Sequence, residues 1–211
     1  MLRRVADPRI PEELFTARLL LRRWRSSDLD ALAEIFARRE VWEFPFGRGL
    51  TREETEYRLN RYLEAWEHDG FGKYAVEIRG TGSLIGYVGL ELVTWFHEIE
   101  GEVEIGWRVD PGYWGDGYAT EASLASLQVG FDHLGLDRIV AVVEPANVAS
   151  SRLAERIGLC AVRETVEPRF DKVLEVRVVE REGFEELIRS RTAVADDPCS
   201  ARGSSTRTRA R

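Results

Sequence analysis

The chain has 211 residues, 44% of them hydrophobic and 32% charged, with a formal net charge of −7. That length fits one large domain or two small ones and allows a real core to be buried. The acidic balance argues against a nucleic-acid binder. No apolar run is long enough to cross a bilayer or act as a secretory leader, so a cytoplasmic, membrane-free protein is expected.

In chain order, residues 1–12 read as a flexible lead and 13–189 as one domain without repeat or linker. Residues 190–211, "SRTAVADDPCSARGSSTRTRAR", read as a disordered basic tail, poor in large apolar residues. Its five arginines against two aspartates leave the rest more acidic than the whole. Such a body suits a cationic substrate or serves solubility alone. Cys160 and Cys199 cannot build a disulfide framework, and Cys160, after Leu159 in an apolar run, reads as a small core residue. With His68, His97 and His133 scattered, no metal is expected.

A strand is predicted over 17–24 and a helix over 26–40, with Leu29, Leu32, Ile35 and Phe36 at helical spacing. A second helix, 51–70, opens on a capping box of Thr51 and Glu54 and closes on Gly70. Strands follow at 73–79, 84–92 and 102–109, then a helix at about 117–133, a strand at 138–144 and a helix at 147–157. Strands near 159–166 and 172–180 complete the series. The order β-α-α-β-β-β-α-β-α-β-β predicts an α/β (α+β) mixed sheet of about seven strands, mostly antiparallel. One parallel βαβ crossover and helices on both faces complete it.

In "EVEIGWRV" (102–109), Val103, Ile105, Trp107 and Val109 point one way, and Glu102, Glu104, Gly106 and Arg108 the other. Two carboxylates on the second face indicate solvent or a site. Next comes "DPGYWGDGYATEA". Pro111 ends the ladder, and Gly115 and Gly117 permit positive φ before a helix starting near Tyr118. The N–H groups left over at that start, with the helix dipole, form an anion site suited to phosphate. A tight turn alone is the competing reading. Further on, Asn147 is a good N-cap and Gly158 a good C-terminal residue for the next helix, which by itself requires no ligand. Both helices, however, start at the C-terminal ends of neighbouring parallel strands, where open α/β sheets bind ligands.

"YWGDGYATEA" followed by "NVASSRLAERIGL" resembles the GNAT superfamily of acyl-CoA-dependent N-acetyltransferases. With "TARLLLRRWRSSDLDAL", "GSLIGYVGL" and "EVEIGW", the chain looks most like the RimJ/RimL-type, ribosomal-protein-alanine N-acetyltransferase-like branch, over about residues 14–180. The family's pyrophosphate loop falls on Trp114-Gly115-Asp116-Gly117-Tyr118-Ala119. Asp116 stands where the branch usually has Lys or Arg, and Leu159 where it has Phe. The resemblance implies acetyl-CoA as co-substrate. Trp107, Arg108 and Val109 would then lie along the pantetheine, backbone N–H groups from Gly115 to Thr120 would hold the pyrophosphate, Asn147 would touch the pantetheine and Ser150 would lie near the sulfur.

The implied reaction is direct attack of a neutral amine on the acetyl carbonyl in a ternary complex. An α-amine, with pKa about 7.7–8.0, is roughly one-tenth neutral at pH 7; a lysine, near 10.4, is neutral to only a few parts in ten thousand. Glu104 is the first candidate base, its alternative being a surface carboxylate paired with an arginine such as Arg108. Glu167, in the loop before the last strand, is the second. Glu121 reads as a loop-fixing carboxylate. Ser150 is the candidate acid, with capping as its alternative role, and no Tyr follows Tyr118. Acceptor selection is expected from residues 39–51 and 94–101, with Trp42, Phe44, Phe46, Trp95 and Phe96 as an aromatic lining. Glu43, Glu91, Glu98 and Glu100 would attract a cation. A protein N-terminus, a polyamine and another small amine all remain open as acceptors, as do monomer and homodimer. A non-catalytic acyl-CoA sensor and a binder of an unrelated phosphate ligand are the competing functions.

Overall fold

Runs rich in Val, Ile, Leu and Tyr, cut by glycine turns, form strands, and amphipathic stretches with polar caps form the helices between them. The computed structural model describes residues 10–167 and 171–195. The chain runs β1 (Glu13–Phe15), β2 (Leu19–Arg22), α1 (Leu29–Phe36), α2 (Glu43–Phe46), α3 (Arg52–Asp69), β3 (Lys73–Ile78), β4 (Leu84–Leu92) and β5 (Val103–Val109). It continues α4 (Tyr118–Asp132), β6 (Arg138–Val143), α5 (Val148–Arg156), β7 (Cys160–Glu167), β8 (Lys172–Glu180) and α6 (Arg181–Ala195).

The strands form one sheet of eight in the order β1-β2-β3-β4-β5-β6-β8-β7. All neighbours are antiparallel except β5 and β6. The strand beyond the expected seven is β1, three residues paired with β2. It is too short to show a period in sequence. The unforeseen α6 carries Phe184, Leu187 and Ile188 at helical spacing, buries Phe184, and runs past residue 189 to Ala195. Most of the expected tail and of the flexible lead lies outside the described residues. Of the lead's last residues, Ile10 is buried and the Pro11 carbonyl accepts from the Tyr74 hydroxyl at 2.7 Å.

Helices cover both faces. On one, Leu32, Ile35 and Phe36 of α1 and Leu59 and Tyr62 of α3 pack on Ala75 and Tyr87. On the other, Leu127 and Phe131 of α4, Leu153 of α5 with Ile157 just after it, and Phe184 of α6 pack on Leu90, Ile105 and Ile139. Each such side chain removed from water contributes about 1.5–3 kcal/mol. The capping box of α3 is formed: Glu54 N–H donates to Thr51 Oγ1 at 3.2 Å, and Thr51 N–H to Glu54 Oε2 at 2.8 Å. Gly70 closes that helix at φ 75°. Arg22, nearly inaccessible, binds Asp28 through two bonds of 2.8 Å and also engages Glu77, so β2 is clamped to the start of α1.

Cys160 is exposed, not a core residue. It opens β7, the edge strand beside β8. Because Leu159 just before it turns inward at 1% exposure, strand alternation sends Cys160 outward.

Candidate active site

β5 and β6 meet at a single point of register, Glu104 with Val140. Beyond it the two parallel strands part. The bonds Val93 N–H to Glu102 O (2.9 Å) and Asp110 N–H to Ile85 O (2.7 Å) set the phase of the β4/β5 ladder. Glu104, Gly106 and Arg108 therefore direct their backbone groups at β4, whereas Trp107 and Val109 direct theirs at the opened edge. One of these groups is already engaged, since the Val109 carbonyl accepts from Trp114 Nε1 at 2.7 Å.

Past this edge the chain turns through Gly115 (φ 88°) and Gly117 (φ 82°) into α4. Nothing lies within 4 Å of a Cβ built on Gly115, so the left-handed backbone, not crowding, calls for glycine there. Among the described residues, no group of the chain accepts from the N–H of Gly115, Asp116, Gly117, Tyr118, Ala119 or Thr120; the first helical bond is Glu121 N–H to Gly117 O at 3.0 Å. The turn is braced from behind. Arg18 donates to the Asp116 carbonyl (2.9 Å) and to Glu121 Oε2 (2.7 Å), while Glu121 Oε1 accepts from the Thr16 hydroxyl (2.6 Å) and Arg18 N–H (2.8 Å). Burial pushes the Glu121 carboxyl up, but these bonds outweigh it and hold it below the usual range. Glu121 is thus a loop-fixing group, and the Asp116 side chain is exposed.

α5 starts as expected: Asn147 Oδ1 accepts from Ser150 N–H at 3.1 Å. That commits its oxygen and leaves its amide nitrogen as a donor. Across the parted strands, Trp107 Nε1 donates to Ser150 Oγ at 3.2 Å, and the hydroxyl keeps its own proton to give.

On the opposite face lies a cleft of about 690 Å³. Its walls bring together Glu104, Trp107, Arg108, Asn147, Ser150 and Glu167; Val109 and residues 114–120 are not among them. Glu104 is 8% exposed. Burial first, and then the like charge of Glu91, push its carboxyl up to about 7, against the opposing pull of Lys73, the Val142 N–H and Arg108. Among the described residues it has no arginine partner. The Arg108 guanidinium instead holds the segment before α3, donating to the carbonyls of Val41 and Phe44 (2.9 Å to the latter) and stacking 3.7 Å from the Trp42 ring centroid. With its backbone turned to β4 as well, Arg108 ties β5 to the Val41–Phe44 segment through its side chain. Glu167 is the buried last residue of β7, not a loop residue.

Trp42, Phe44, Phe46 and Trp95 line the cleft as expected. Phe96 does not; it packs in the core with Val93, Ile99 and Val176. Of the acidic residues expected to attract a cation, Glu43, Glu98 and Glu100 pair with Arg39, Arg163 and His97. Only Glu91 reaches the cleft, and it pairs with Lys73. Lys73 was not foreseen. It is buried in β3, 5.1 Å from the Tyr87 centroid and 5.7 Å from that of Tyr62. A Cβ at Gly106 would stand 3.1 Å from its Cε, so the missing side chain makes the lysine's room. A lone lysine in a strand carries no local sign of burial. Glu144 and Lys172, paired at 3.0 Å on the cleft wall, were also missed.

A mixed sheet with one parted parallel pair, and a glycine turn offering unpaired amides before the following helix, defines an acyl-transferase architecture. The chain belongs to the GNAT acetyltransferases: the family described as Acetyltransferase (GNAT) domain matches residues 18–159. It is 32% identical over 146 residues to the uncharacterized N-acetyltransferase YnaD of Bacillus subtilis (strain 168), covering 68% of this chain and 80% of that one. It is 27% identical over 138 residues to the FsC-acetyl coenzyme A-N(2)-transacetylase of Aspergillus fumigatus, covering 60% and 54%. A GNAT-family acetyltransferase from Bacillus anthracis superposes with a TM-score of 0.69 at 27% identity, over 81% of this chain and 99% of that one. GNAT acetyltransferases use acetyl-CoA, and the unpaired amides of the 115–120 turn suit its diphosphate. Among the described residues, no helix is long and apolar enough to cross a membrane.

Proposed function

We propose that the protein transfers the acetyl group of acetyl-CoA to a primary amine by direct attack within a ternary complex, with Glu104 as general base. The observation that carries this reading is the position of Glu104: a buried carboxyl at the apex of the β5/β6 opening, facing the cleft, with its pKa raised to about 7. A base near neutrality is half ionised at working pH and is well matched to an ammonium proton. The neutral amine attacks the acetyl carbonyl and forms the C–N bond; its surplus proton passes to Glu104; the C–S bond breaks, and Ser150 Oγ–H protonates the departing thiolate and is itself reprotonated from solvent water. The Gly115–Thr120 amides hold the diphosphate, and the turned-out backbone of Trp107 and Val109, with the Asn147 amide, flanks the pantetheine. Glu167, buried in the same cleft, is the second candidate base. The sequence motifs favour the RimJ/RimL-type branch and hence a peptide N-terminus or a small amine. The test is acetyl transfer followed by product mass with peptides, polyamines and aminoglycosides. Silence across all three classes overturns the reading.

A further inference from the structure

We propose that Glu144 reads the acceptor: its open carboxylate oxygen accepts a hydrogen bond from a neutral N–H or O–H group carried by the amine at a distance from the reacting nitrogen. The inference rests on the transferase reading and deepens it by naming a substrate class.

Glu144 follows the last residue of β6, and its side chain is 8% exposed. One oxygen, Oε2, accepts from Lys172 Nζ at 3.0 Å. The other, Oε1, is buried and, among the described residues, has no hydrogen-bond partner. A buried acceptor left unpaired gives up its hydration with no bond in return, the more so when charged, so an unpaired carboxylate oxygen in a cleft wall needs an explanation. A ligand donor supplies one, because Glu144, Lys172, Glu104 and Val142 all line the same cavity.

The position agrees. The Val142 backbone N–H is close enough to the Glu104 carboxyl to draw its pKa down, both residues line the cavity, and Glu144 lies two residues further along, about 7 Å of strand. An amine delivered to Glu104 therefore extends toward Glu144 if it carries a chain of a few atoms. The charge decides what that chain ends in. Lys172 already balances the Glu144 carboxylate, and Phe44 closes this end with a ring centroid 5.9 Å from Lys172 Nζ. A second ammonium would meet the lysine; a hydroxyl or amide N–H would not.

The test compares kcat/KM for pentylamine, aminopentanol and diaminopentane with acetyl-CoA. Wild type should prefer aminopentanol over pentylamine by about ten- to hundredfold, the usual worth of a hydrogen bond to a charged acceptor. In Glu144→Ala that ratio should fall to about one, and equally in Glu144→Leu, which keeps the cleft wall filled. Lys172→Met should shift preference to diaminopentane, an outcome that a merely structural Glu144–Lys172 pair would not produce. A wild-type ratio near one, a ratio that survives both Glu144 variants, or a wild-type preference for diaminopentane overturns the inference while leaving the transferase reading intact. No acetylation of any of the three while another acceptor class is acetylated overturns the inference alone; silence on peptides, polyamines and aminoglycosides as well overturns both.

Discussion

Glu91 and Glu104 stand directly opposite each other in the β4/β5 ladder, and Lys73, paired with Glu91, is the cation that offsets both. The carboxyl of Glu104 is raised by burial and by Glu91 and lowered by Lys73. Activity that needs its ionised form should rise with pH through about 7. Glu91→Gln removes the like charge and should move that limb of kcat/KM to lower pH. Lys73→Met should move it higher. Both limbs staying in place would show that Glu104 is not the titrating base.

The same shift affects stability. Between the unfolded value, about 4.3, and about 7, the folded protein binds more protons at Glu104 than the unfolded chain does. Its stability therefore declines as pH rises through that window. Glu104→Gln cannot titrate, so its Tm relative to wild type should be higher at pH 8 than at pH 4. The same variant should lose about 10²–10⁴ in kcat, as expected for a general base.

Gly117→Val forces a branched side chain onto φ 82°, costing about 1–2 kcal/mol locally and disturbing the amides that face the diphosphate. Its KM for acetyl-CoA should rise at least about tenfold, since one lost charge-assisted bond suffices. S-acetylpantetheine, which has no diphosphate, should be affected much less. Equal losses for both donors would remove the diphosphate from this turn.

Arg108→Leu unties the guanidinium from Val41 and Phe44. The segment carrying Trp42, Phe44 and Phe46 is then free to move, so KM for the amine should rise several-fold with little change in KM for acetyl-CoA. The reverse pattern would return Arg108 to the cofactor side.

Arg22→Met strands Asp28 and Glu77 around a vacated buried cation. Breaking a buried ion pair from one side costs about 3–5 kcal/mol, which urea denaturation would read directly.

Local chemistry accounts for what was readable beforehand. The Thr51/Glu54 box, the Asn147 cap, the positive-φ glycines and the alternation of 102–109 each depend on neighbours within a few residues, and all are found as expected. β1 and α2 were missed because three or four residues carry no period, and Phe96 because an aromatic residue in a loop has no sign saying cleft or core.

The sequence by itself determined the order of the seven longer strands and of helices α1, α3, α4 and α5, the parallel crossover and the glycine turn, because propensity, capping and periodicity act over a few residues. Only the tertiary structure decided which charges share the cleft. Lys73, Glu91, Glu104, Glu144 and Lys172 lie on five different strands or just past their ends. Their pairing, burial and proton affinities come from strand register and from where β5 and β6 part, which no single stretch of chain encodes.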